Sequence, residues 1–458
     1  MNATDEDRRV FSQTSQMPMA HPRSRRVMLV ASFAPSLVIF RAHLIRSLVA
    51  HGHEVLCLAP EFDAGAAIAV SPDDTAGDAA EVTMAKVISH DDVRARIEAM
   101  GAQTAGYPLS RRGLNPLDDL KSLRALRAHM RAFQPDVVMG YTPKAAIYSA
   151  LAARSTRVPR IVPMITGLGY AFLGHSRKDK AVRVVTSRLY ARAFRCSHAA
   201  IFHNKDDHEQ LARTRVLPLG LPVHVVGGSG VDLSEFGEVA LPGLGDGLTF
   251  LMIARLLKYK GVEEYCQAAR DVRRVAPGAR FLLVGPEEQG PGGISAAQLA
   301  NWNDCVTYLG PRADVRPYLA QCHVFVLPSH DGEGLPRTVL EALATGRPVI
   351  TTNTRGCRDT VDERVNGCLV PAGDARALAD AMLSFLRRPD LIPAMARASR
   401  QKALRRFDVE RVTKDMLAVM LDETVGQTSS PHAPAHAPTV DSAALILSNR
   451  AAGVTSQR

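Results

Sequence analysis

The stretch from Val324 to Thr352, VFVLPSHDGEGLPRTVLEALATGRPVITT, decides the fold of this chain. Its apolar beginning, VFVLP, predicts a buried strand, and its end, PVITT, predicts another strand. Between them, Pro336 suits the first turn of a helix and Gly346 suits the end of that helix. The stretch therefore predicts a strand, loop, helix, strand unit.

Two glutamates lie on either side of the predicted helix start. Glu333 stands in the loop between two glycines, and Glu341 lies on the second turn of the helix. Glycine lets a ligand approach the backbone, and the free N–H groups, with roughly half a positive charge at the helix start, favour a phosphate. The two carboxylates can accept hydrogen bonds from hydroxyl groups. A diphosphate between two polyols describes a nucleotide sugar.

This pair of glutamates resembles the hallmark of the retaining glycosyltransferases of family 4, in which seven residues separate two glutamates in this context. The spacing alone also suits a pair of solvated helix carboxylates, but its flanks favour the functional interpretation. The resemblance implies the GT-B fold, an α/β arrangement of two Rossmann-like domains facing across a cleft. Further matching segments are IARLLKYKG (Ile253 to Gly261), GSGVD (Gly228 to Asp232), FLLVGP (Phe281 to Pro286), NGCLVPAGD (Asn366 to Asp374) and ITGLGYAF (Ile165 to Phe172).

Composition limits the classes of function. The 458 residues allow up to about three domains, and a formal charge of +10 suits phosphorylated ligands or an anionic membrane surface. Nucleic acid is not an expected partner, because neither a zinc-ligand spacing nor a ribonucleoprotein aromatic string is present. The seven cysteines form no C-x-x-C pair, which predicts reduced thiols in a cytoplasmic protein. No apolar run reaches the ~18 residues of a membrane span.

The apolar segment Val27 to Phe40 follows several arginines and superficially resembles a secretory signal. Pro35 interrupts it, and a strand, helix, strand pattern continues directly from it. We therefore predict a first strand, VMLVAS, then a helix from Leu37 to His51 and a second strand from His53 to Ala59. The expected location is the cytoplasm, with peripheral association at the inner face of the cell membrane.

Strands and helices alternate along the rest of the chain, which predicts parallel sheets of the α/β class. A segment rich in Gly and Pro separates two α/β halves, and another, residues 64–80, predicts a mobile insertion. The predicted organisation is a disordered segment 1–24, an N-terminal acceptor-binding domain 25–235, a linker 236–247, a C-terminal nucleotide-sugar domain 248–408, a helix 409–421 returning to the N-terminal domain, and a disordered tail 426–458.

The resemblance assigns donor-side roles to residues of the C-terminal half. Arg255 follows a predicted strand and Lys260 precedes a predicted helix, where ligands of parallel sheets collect. Both are expected to stabilise the leaving diphosphate, although single basic residues are more commonly surface charges. Glu341 is expected to hold the ribose diol and Glu333 the hydroxyls of the transferred sugar. Backbone N–H groups are expected from Gly334 and Leu335, and Arg312 is expected near the base unless it is only a solvated loop residue.

Missing motifs refine the chemistry. The only Asp-x-Asp spans Asp5 to Asp7 in the predicted disordered segment, so no metal and no other cofactor is expected. There is no G-x-x-x-x-G-K-[ST] loop, and GLGYAFLG is not G-x-G-x-x-G, which weakens an ATPase or NAD-enzyme interpretation. A hydrolase with carboxylates ~5 to 9 Å apart fits poorly, because a helix start lies between these two.

Acceptor-side signals lie in the N-terminal half. YTPKAAIYSALAAR, beginning at Tyr141, resembles a branch of the family that acts on polyprenyl-diphosphate-linked sugars. Tyr141 stands where other members carry His, and Ala145 replaces a Pro, which puts an acceptor-side base in doubt. Lys144 is expected to contact an acceptor phosphate unless it is a surface lysine at a helix start. Asn204 begins an element similar to Asn-x-Asp-Asp of the family, although its acids also suit helix capping.

A basic stripe is predicted on the helix from Arg177 to Arg195. Val184, Val185 and Leu189 are interpreted as lying on other sides of that helix. Each cation near an anionic leaflet contributes about 1 kcal/mol, so the stripe suits reversible membrane binding, with a merely solvated basic face as the alternative. The stripe comprises Arg177, Lys178, Arg188, Arg192 and Arg195.

The sequence therefore predicts a metal-independent retaining glycosyltransferase. Its donor is expected to be a nucleotide-diphosphate sugar, with uridine as the base, and its acceptor a glycan or a polyprenyl-diphosphate-linked sugar. In the mechanism that the resemblance implies, an oxygen of the leaving diphosphate takes the acceptor proton, so no protein nucleophile is needed. Two alternatives stay open: a GT-B nucleotide-sugar epimerase, and a non-catalytic partner subunit that binds a nucleotide sugar.

Overall fold

Two parallel sheets, one in each half of the chain, form the framework of the molecule. The computed structural model describes residues 24–62, 89–110, 115–168, 172, 176–243, 247–288, 292–330 and 332–422. The segments 1–23, 64–80 and 426–458, predicted to be disordered or mobile, lie outside these residues, as does the Asp-x-Asp near the N-terminus.

The N-terminal sheet has the strand order β3-β2-β1-β4-β5, and a three-stranded sheet β6-β7-β8 continues it. A parallel bridge between Tyr141 and Met164 joins the two. The strands are β1 Arg26–Val30, β2 Glu54–Ala59, β3 Gln103–Gly106, β4 Val137–Gly140, β5 Arg160–Ile161, β6 Met164–Ile165, β7 Ala200–Phe202 and β8 Val223–Val225. The helices of this half are α1 Pro35–Ala50, α2 His90–Ala99, α3 Pro116–Phe133, α4 Pro143–Ser155, α5 Arg177–Arg195 and α6 Lys205–Arg213.

The C-terminal sheet has the order β11-β10-β9-β12-β13-β14. Its strands are β9 Thr249–Ile253, β10 Arg280–Val284, β11 Thr307–Tyr308, β12 Val324–Leu327, β13 Val349–Thr352 and β14 Gly367–Val370. Its helices are α7 Val262–Val275, α8 Ala296–Leu299, α9 Arg316–Gln321, α10 Arg337–Ala344, α11 Ala375–Arg387 and α12 Ile392–Lys402. In both sheets the order reverses between the first and fourth strands, which is where the carboxyl ends of parallel strands open a crevice for ligands.

The last described helix, α13 Val409–Leu421, packs on the N-terminal half. Its apolar residues, Met416 and Met420 among them, share a buried cluster with strand β1 and helix α1. Arg160 fixes the end of this helix, because its Nη2 lies 2.7 Å from the carbonyl oxygen of Val419 and 2.9 Å from a carboxylate oxygen of Asp422. The chain thus crosses back after completing the second sheet.

Helix α1 begins earlier than the sequence indicated. It starts at Pro35 and not at Leu37. Proline is favourable at the first position of a helix, because an N–H at that position would have no partner within the helix. Leu44 and Leu48 of this helix are buried, whereas Phe40 is only partly buried. All seven cysteines are free thiols, and five of them are buried. Within the described ranges, no helix combines the length and the apolarity needed to cross a bilayer.

Candidate functional site

The loop between β12 and α10, residues 329–336, is the centre of the candidate site; we call it the Glu333 loop. Strand β12 is wholly buried and delivers the chain to the carboxyl edge of its sheet. Pro336 precedes the helix with extended backbone (φ −69°, ψ 116°), so it lies just outside the first turn in which it was predicted. Gly346 follows the helix end with φ 75°, as a helix-terminating glycine does.

Gly334 brings this loop against the N-terminal half. A Cβ added at Gly334 would lie 1.7 Å from the carbonyl oxygen of Thr166, so no other residue fits there. The carbonyl of Gly334 accepts a hydrogen bond of 2.9 Å from Asn204 Nδ2. Leu335 is 3% exposed and packs on Gly228. Gly334 and Leu335 therefore hold the loop in place by close approach and by packing.

Glu333 forms a buried ion pair with Lys260. Its Oε1 accepts hydrogen bonds from Lys260 Nζ and, at 2.8 Å, from Ser329 Oγ. Both charged residues are nearly inaccessible, with 2% exposure for Lys260 and 5% for Glu333. A buried pair with additional hydrogen bonds holds its members in one geometry, and removal of one partner is strongly destabilising.

Arg255 lies two residues after the end of strand β9 and is 1% exposed. Its Nη2 donates to the hydroxyl of Tyr259 at 2.6 Å, and its Nη1 lies 3.9 Å from Glu288 Oε1. The ring of Tyr259 is also 5.5 Å from Lys260 Nζ. Tyr259 therefore contacts both cations. Sequence reasoning missed it because it carries no charge, although it stands inside the IARLLKYKG segment.

Glu341 lies on the second turn of α10 and is 3% exposed. Its Oε1 accepts a hydrogen bond of 3.0 Å from Arg337 Nε, while its Oε2 is buried and has no hydrogen-bond partner among the described residues. Burial raises the pKa of this carboxyl, and Arg337 opposes the rise. Buried polar atoms are nearly always satisfied, so an orphaned carboxylate oxygen at this edge is suited to a ligand hydroxyl.

Arg337 connects the two halves of the molecule next to Glu341. Its Nη1 donates to the carbonyl oxygen of Ile39, and its guanidinium lies 5.6 Å from the centre of the Phe40 ring. Sequence reasoning missed this residue as well, although it occupies the EGLPRTVLE segment. Besides its bond to Glu341 within α10, its contacts to Ile39 and Phe40 come from the placement of α1 against α10.

Arg312 is not brought into contact with these residues. It follows strand β11 at the same edge of the sheet, but its side chain is exposed and donates to the hydroxyl of Tyr318 at 2.6 Å. Its guanidinium stacks on the same ring, 5.9 Å from the ring centre.

The acceptor-side candidates occupy three different environments. Tyr141 is 2% exposed, and its hydroxyl is 2.9 Å from Ser36 Oγ. The Nζ of Lys144 lies 2.9 Å from Asp119 Oδ1, so an internal carboxylate already neutralises its charge. Asn204 caps helix α6 by accepting a hydrogen bond of 2.8 Å from the backbone N–H of Asp207. Together with its bond to Gly334, this gives Asn204 a structural position between the halves.

The two acids after Asn204 form ion pairs with the C-terminal half. Arg355 Nη1 lies 3.8 Å from Asp207 Oδ1, and Arg358 Nε lies 3.5 Å from Asp206 Oδ2. Near them, His330 of the Glu333 loop is 3.0 Å from Glu264 of helix α7. Within the described part of the chain, no three His, Cys, Asp or Glu side chains cluster as metal ligands.

The face of helix α5 differs from its prediction. Val184 and Val185 were expected away from the basic stripe, but they are 48% and 42% exposed. The expectation was wrong because residues four apart share a face of a helix, which puts Val184 beside Arg188. Arg188 and the further arginines Arg177, Arg192 and Arg195 are exposed; the side chain of Lys178 lies outside the description.

Comparison with protein families identifies both halves. Residues 39–227 match the family described as glycosyl transferase 4-like domain, and residues 247–388 match the family described as glycosyl transferases group 1. The two matches cover most of both sheets.

This chain is similar to known glycosyltransferases over most of their length. The N,N'-diacetylbacillosaminyl-diphospho-undecaprenol alpha-1,3-N-acetylgalactosaminyltransferase of Campylobacter jejuni is 28% identical over 333 residues, 69% of this chain and 85% of that protein. The UDP-Gal:alpha-D-GlcNAc-diphosphoundecaprenol alpha-1,3-galactosyltransferase of Escherichia coli is 28% identical over 317 residues, 66% of this chain and 80% of that protein.

Solved structures match the fold. Sucrose-phosphate synthase from Thermosynechococcus elongatus superposes with a TM-score of 0.63 at 20% identity, over 86% of this chain and 97% of that chain. At this identity the likeness shows the arrangement of two Rossmann-like sheets, which is the GT-B fold predicted from the sequence.

Proposed function

Because the chain belongs to the glycosyltransferases that join a glycosyl transferase 4-like domain to a group 1 domain, we propose that it transfers a sugar from a uridine-diphosphate donor to a polyprenyl-diphosphate-linked sugar. It is an enzyme that uses a nucleotide sugar, and the epimerase and non-catalytic alternatives receive no support from its relatives. The observation that carries the proposal is the buried Glu333 and Lys260 pair on one side of the α10 start and the orphaned Glu341 oxygen on the other.

The donor roles follow from this arrangement. The diphosphate binds at the N-terminus of α10, where the backbone N–H groups of Gly334 and Leu335 and the helix dipole favour negative charge. Glu341 Oε2 accepts from the ribose diol. Glu333 accepts from hydroxyls of the transferred sugar. Transfer then proceeds with retention at the anomeric carbon.

Arg255 and Lys260 stabilise the charge that develops on the leaving diphosphate. The Lys260 ammonium has three donors, so it can keep its bond to Glu333 while it donates to a phosphate oxygen. Arg255 acts on the same diphosphate. It is linked to Lys260 by Tyr259, which accepts a hydrogen bond from Arg255 and whose ring contacts Lys260. Preorganised cations supply this stabilisation without a metal ion, so we expect activity to survive chelation with EDTA.

The acceptor proposal rests on the relatives from Campylobacter jejuni and Escherichia coli, whose names describe alpha-1,3 transfers to undecaprenyl-diphosphate-linked sugars. Such an acceptor lies in a membrane. The exposed face of α5 suits peripheral binding at the inner leaflet, because Arg188, Arg192 and Arg195 can pair with lipid phosphates while Val184 and Val185 enter the interface. The protein then works at the cytoplasmic surface of the membrane.

A panel of nucleotide sugars tests the proposal. The purified chain, with and without a synthetic polyprenyl-diphosphate-linked sugar, should hydrolyse one donor slowly and transfer its sugar rapidly when the acceptor is present. Turnover should persist in EDTA. Epimerised donor, or binding without any turnover across the panel, would overturn the proposal in favour of one of the alternatives.

A further inference from the structure

A buried arginine in the N-terminal half has no carboxylate among the described residues to balance its charge. Arg41 lies on helix α1 and is 1% exposed. Its Nη1 donates to the carbonyl oxygen of Phe40 at 3.1 Å, and its Nη2 contacts Met164 Sδ at 3.0 Å and His203 Nε2 at 3.3 Å. Its Nε is buried and has no partner among the described residues, and no ion pair joins Arg41 to a described acid.

The partners of Arg41 locate it at the ligand edge of the N-terminal sheet. Its guanidinium lies 5.0 Å from the ring centre of Tyr141, which follows strand β4. His203 follows strand β7, and Met164 begins strand β6. Two residues after Met164, the carbonyl of Thr166 meets Gly334 of the Glu333 loop. Arg41 therefore contacts strand β6, and the residue after that strand, Thr166, lies where the acceptor half meets the proposed donor site.

The cluster around Arg41 carries a net positive charge. Burial lowers the pKa of Arg41 to about 10, which still leaves it protonated at neutral pH. Burial, and then Arg41 itself, lower the pKa of His203 well below its ordinary value, so this imidazole is neutral. Since a guanidinium can only donate, His203 Nε2 must be the acceptor. A buried charge without a counter-charge is costly, so a retained one indicates a function.

Other buried cations of the chain show what a structural role looks like. Lys402, which is 7% exposed, is paired with Asp362 at 2.7 Å. Arg347 lacks a carboxylate too, but it donates to the backbone carbonyls of Leu319 and Ala240 at 2.8 and 3.0 Å, and so joins two segments of the chain. Arg41 has a thioether, an imidazole and the carbonyl of its own neighbour, none of which needs a cation.

We propose that Arg41 is a specificity-determining residue that selects an acceptor carrying a diphosphate. This inference rests on the proposed function and names the acceptor group that the site prefers. Because its side chain is 1% exposed, Arg41 acts through its electric field in the cleft, across the layer formed by Tyr141 and His203. Lys144, the sequence-based candidate for that contact, is neutralised by Asp119 and contributes little field.

The test compares two acceptors: one sugar linked to a polyprenyl diphosphate, and the same sugar linked to an uncharged alkyl chain. In Arg41→Gln we expect kcat/KM for the diphosphate acceptor to fall about 10- to 100-fold, while the uncharged acceptor and slow donor hydrolysis change by less than about twofold. Arg41→Lys should keep most of the preference. Lys121→Gln, which removes an exposed cation on α3, is the control and should change neither ratio.

Binding gives a readout that does not depend on turnover. Polyprenyl diphosphate without a sugar, titrated into the UDP-bound protein, should bind about 10-fold more weakly to Arg41→Gln than to the wild type. Equal losses with both acceptors would make Arg41 merely structural, and unchanged affinity for the diphosphate would overturn the inference. If Arg41→Gln does not fold, Arg41→Lys decides, because loss of the diphosphate preference with the charge retained contradicts the proposal. A wild type that transfers to neither acceptor refutes the proposed function, whereas transfer without preference refutes only this inference.

Discussion

Lys260 has two tasks at the scale of single residues, since it neutralises Glu333 and, in our proposal, stabilises the leaving diphosphate. Lys260→Ala should therefore lower the free energy of unfolding by about 3 to 5 kcal/mol, because it leaves the buried carboxylate of Glu333 without the cation that it pairs with. It should also lower kcat by about 10² to 10³. Denaturant unfolding and steady-state kinetics measure the two effects.

The double variant Lys260→Ala, Glu333→Gln separates these tasks. Its stability should recover much of the loss, because the buried partner is then neutral, but its turnover should stay low. A single or double variant that keeps full kcat with a saturating donor would remove Lys260 from the catalytic machinery.

The two glutamates should divide the donor between them. Glu333→Gln should weaken the intact nucleotide sugar but leave the affinity for the nucleotide diphosphate largely unchanged, because this carboxylate lies in the loop beyond the start of α10. Glu341→Ala should weaken the nucleotide diphosphate itself, by about one to two orders of magnitude for the loss of a charged hydrogen bond. Calorimetric titration with both ligands measures this. Equal losses for both ligands in both variants would show that the division is wrong.

Residue chemistry was predictable only where a motif carries it. The spacing of Glu333 and Glu341 predicted that these two residues belong to the site. The positions of Arg255 and Lys260, at a predicted strand end and a predicted helix start, predicted the same for them. Tyr259, Arg337 and Arg41 were not found, because their significance comes from partners far away in the sequence. Arg41, for instance, contacts Met164 and His203, and no local sequence pattern in α1 predicts these contacts.

At the scale of secondary structure elements, a histidine and a carboxylate tie the Glu333 loop to helix α7. The hydrogen bond that His330 donates to Glu264 raises the pKa of His330 above its ordinary 6.5, and burial opposes the rise. Burial works to raise the pKa of Glu264, but the hydrogen bonds from His330 and from its own backbone, with the charge of His330, together lower it below its ordinary 4.5. Both side chains are therefore charged at any pH between the lowered pKa of Glu264 and the raised pKa of His330.

This pair gives a pH dependence with a defined sign. A raised histidine pKa contributes stability that is fully present below pH 6.5 and is lost as the pH rises through the higher folded-state pKa. The difference in thermal stability between the wild type and His330→Gln should therefore be largest near pH 6 and shrink toward pH 8. The effect is small, since the His330 side chain is 37% exposed. A difference that grows with pH would contradict the assignment.

Helix α5 gives a second prediction at this scale. Arg188→Gln combined with Arg192→Gln should weaken binding to vesicles rich in anionic lipid by about 30-fold, at about 1 kcal/mol for each cation. Val184→Ser with Val185→Ser should weaken it further. Arg213→Gln removes a cation that is 79% exposed on helix α6 and is the matched control. Vesicle sedimentation measures the partition, and equal binding by all variants would leave α5 as a solvated face.

Element types followed from the sequence more readily than their faces and ends. Apolar runs bounded by Gly and Pro predicted β12, α10 and β13 in their observed order. The start of α1 was misplaced because Pro35 looked like an interruption and serves as the first helical residue. The two valines of α5 were assigned to the wrong side of the helix. Val184 and Val185 lie on the same exposed face as Arg188.

At the scale of the whole molecule, the two halves meet through a small number of specific contacts. Asn204 holds Gly334, and the ion pairs of Asp206 and Asp207 with Arg358 and Arg355 lie beside it. Parallel sheets could be anticipated in both halves, because strands and helices alternate along the chain. The contacts between the halves could not, because they join residues that lie far apart in the sequence, such as Asn204 and Gly334. The boundaries proposed at residues 235 and 248 remain predictions.

The stereochemistry of the product tests the central claim most directly. The full chain is incubated with its preferred UDP-sugar and a polyprenyl-diphosphate-linked sugar, and NMR spectroscopy of the product identifies the configuration at the new glycosidic bond. The account predicts one transferred sugar per acceptor with the anomeric configuration of the donor retained. An inverted linkage, or no linkage with any UDP-sugar and this class of acceptor, would contradict it.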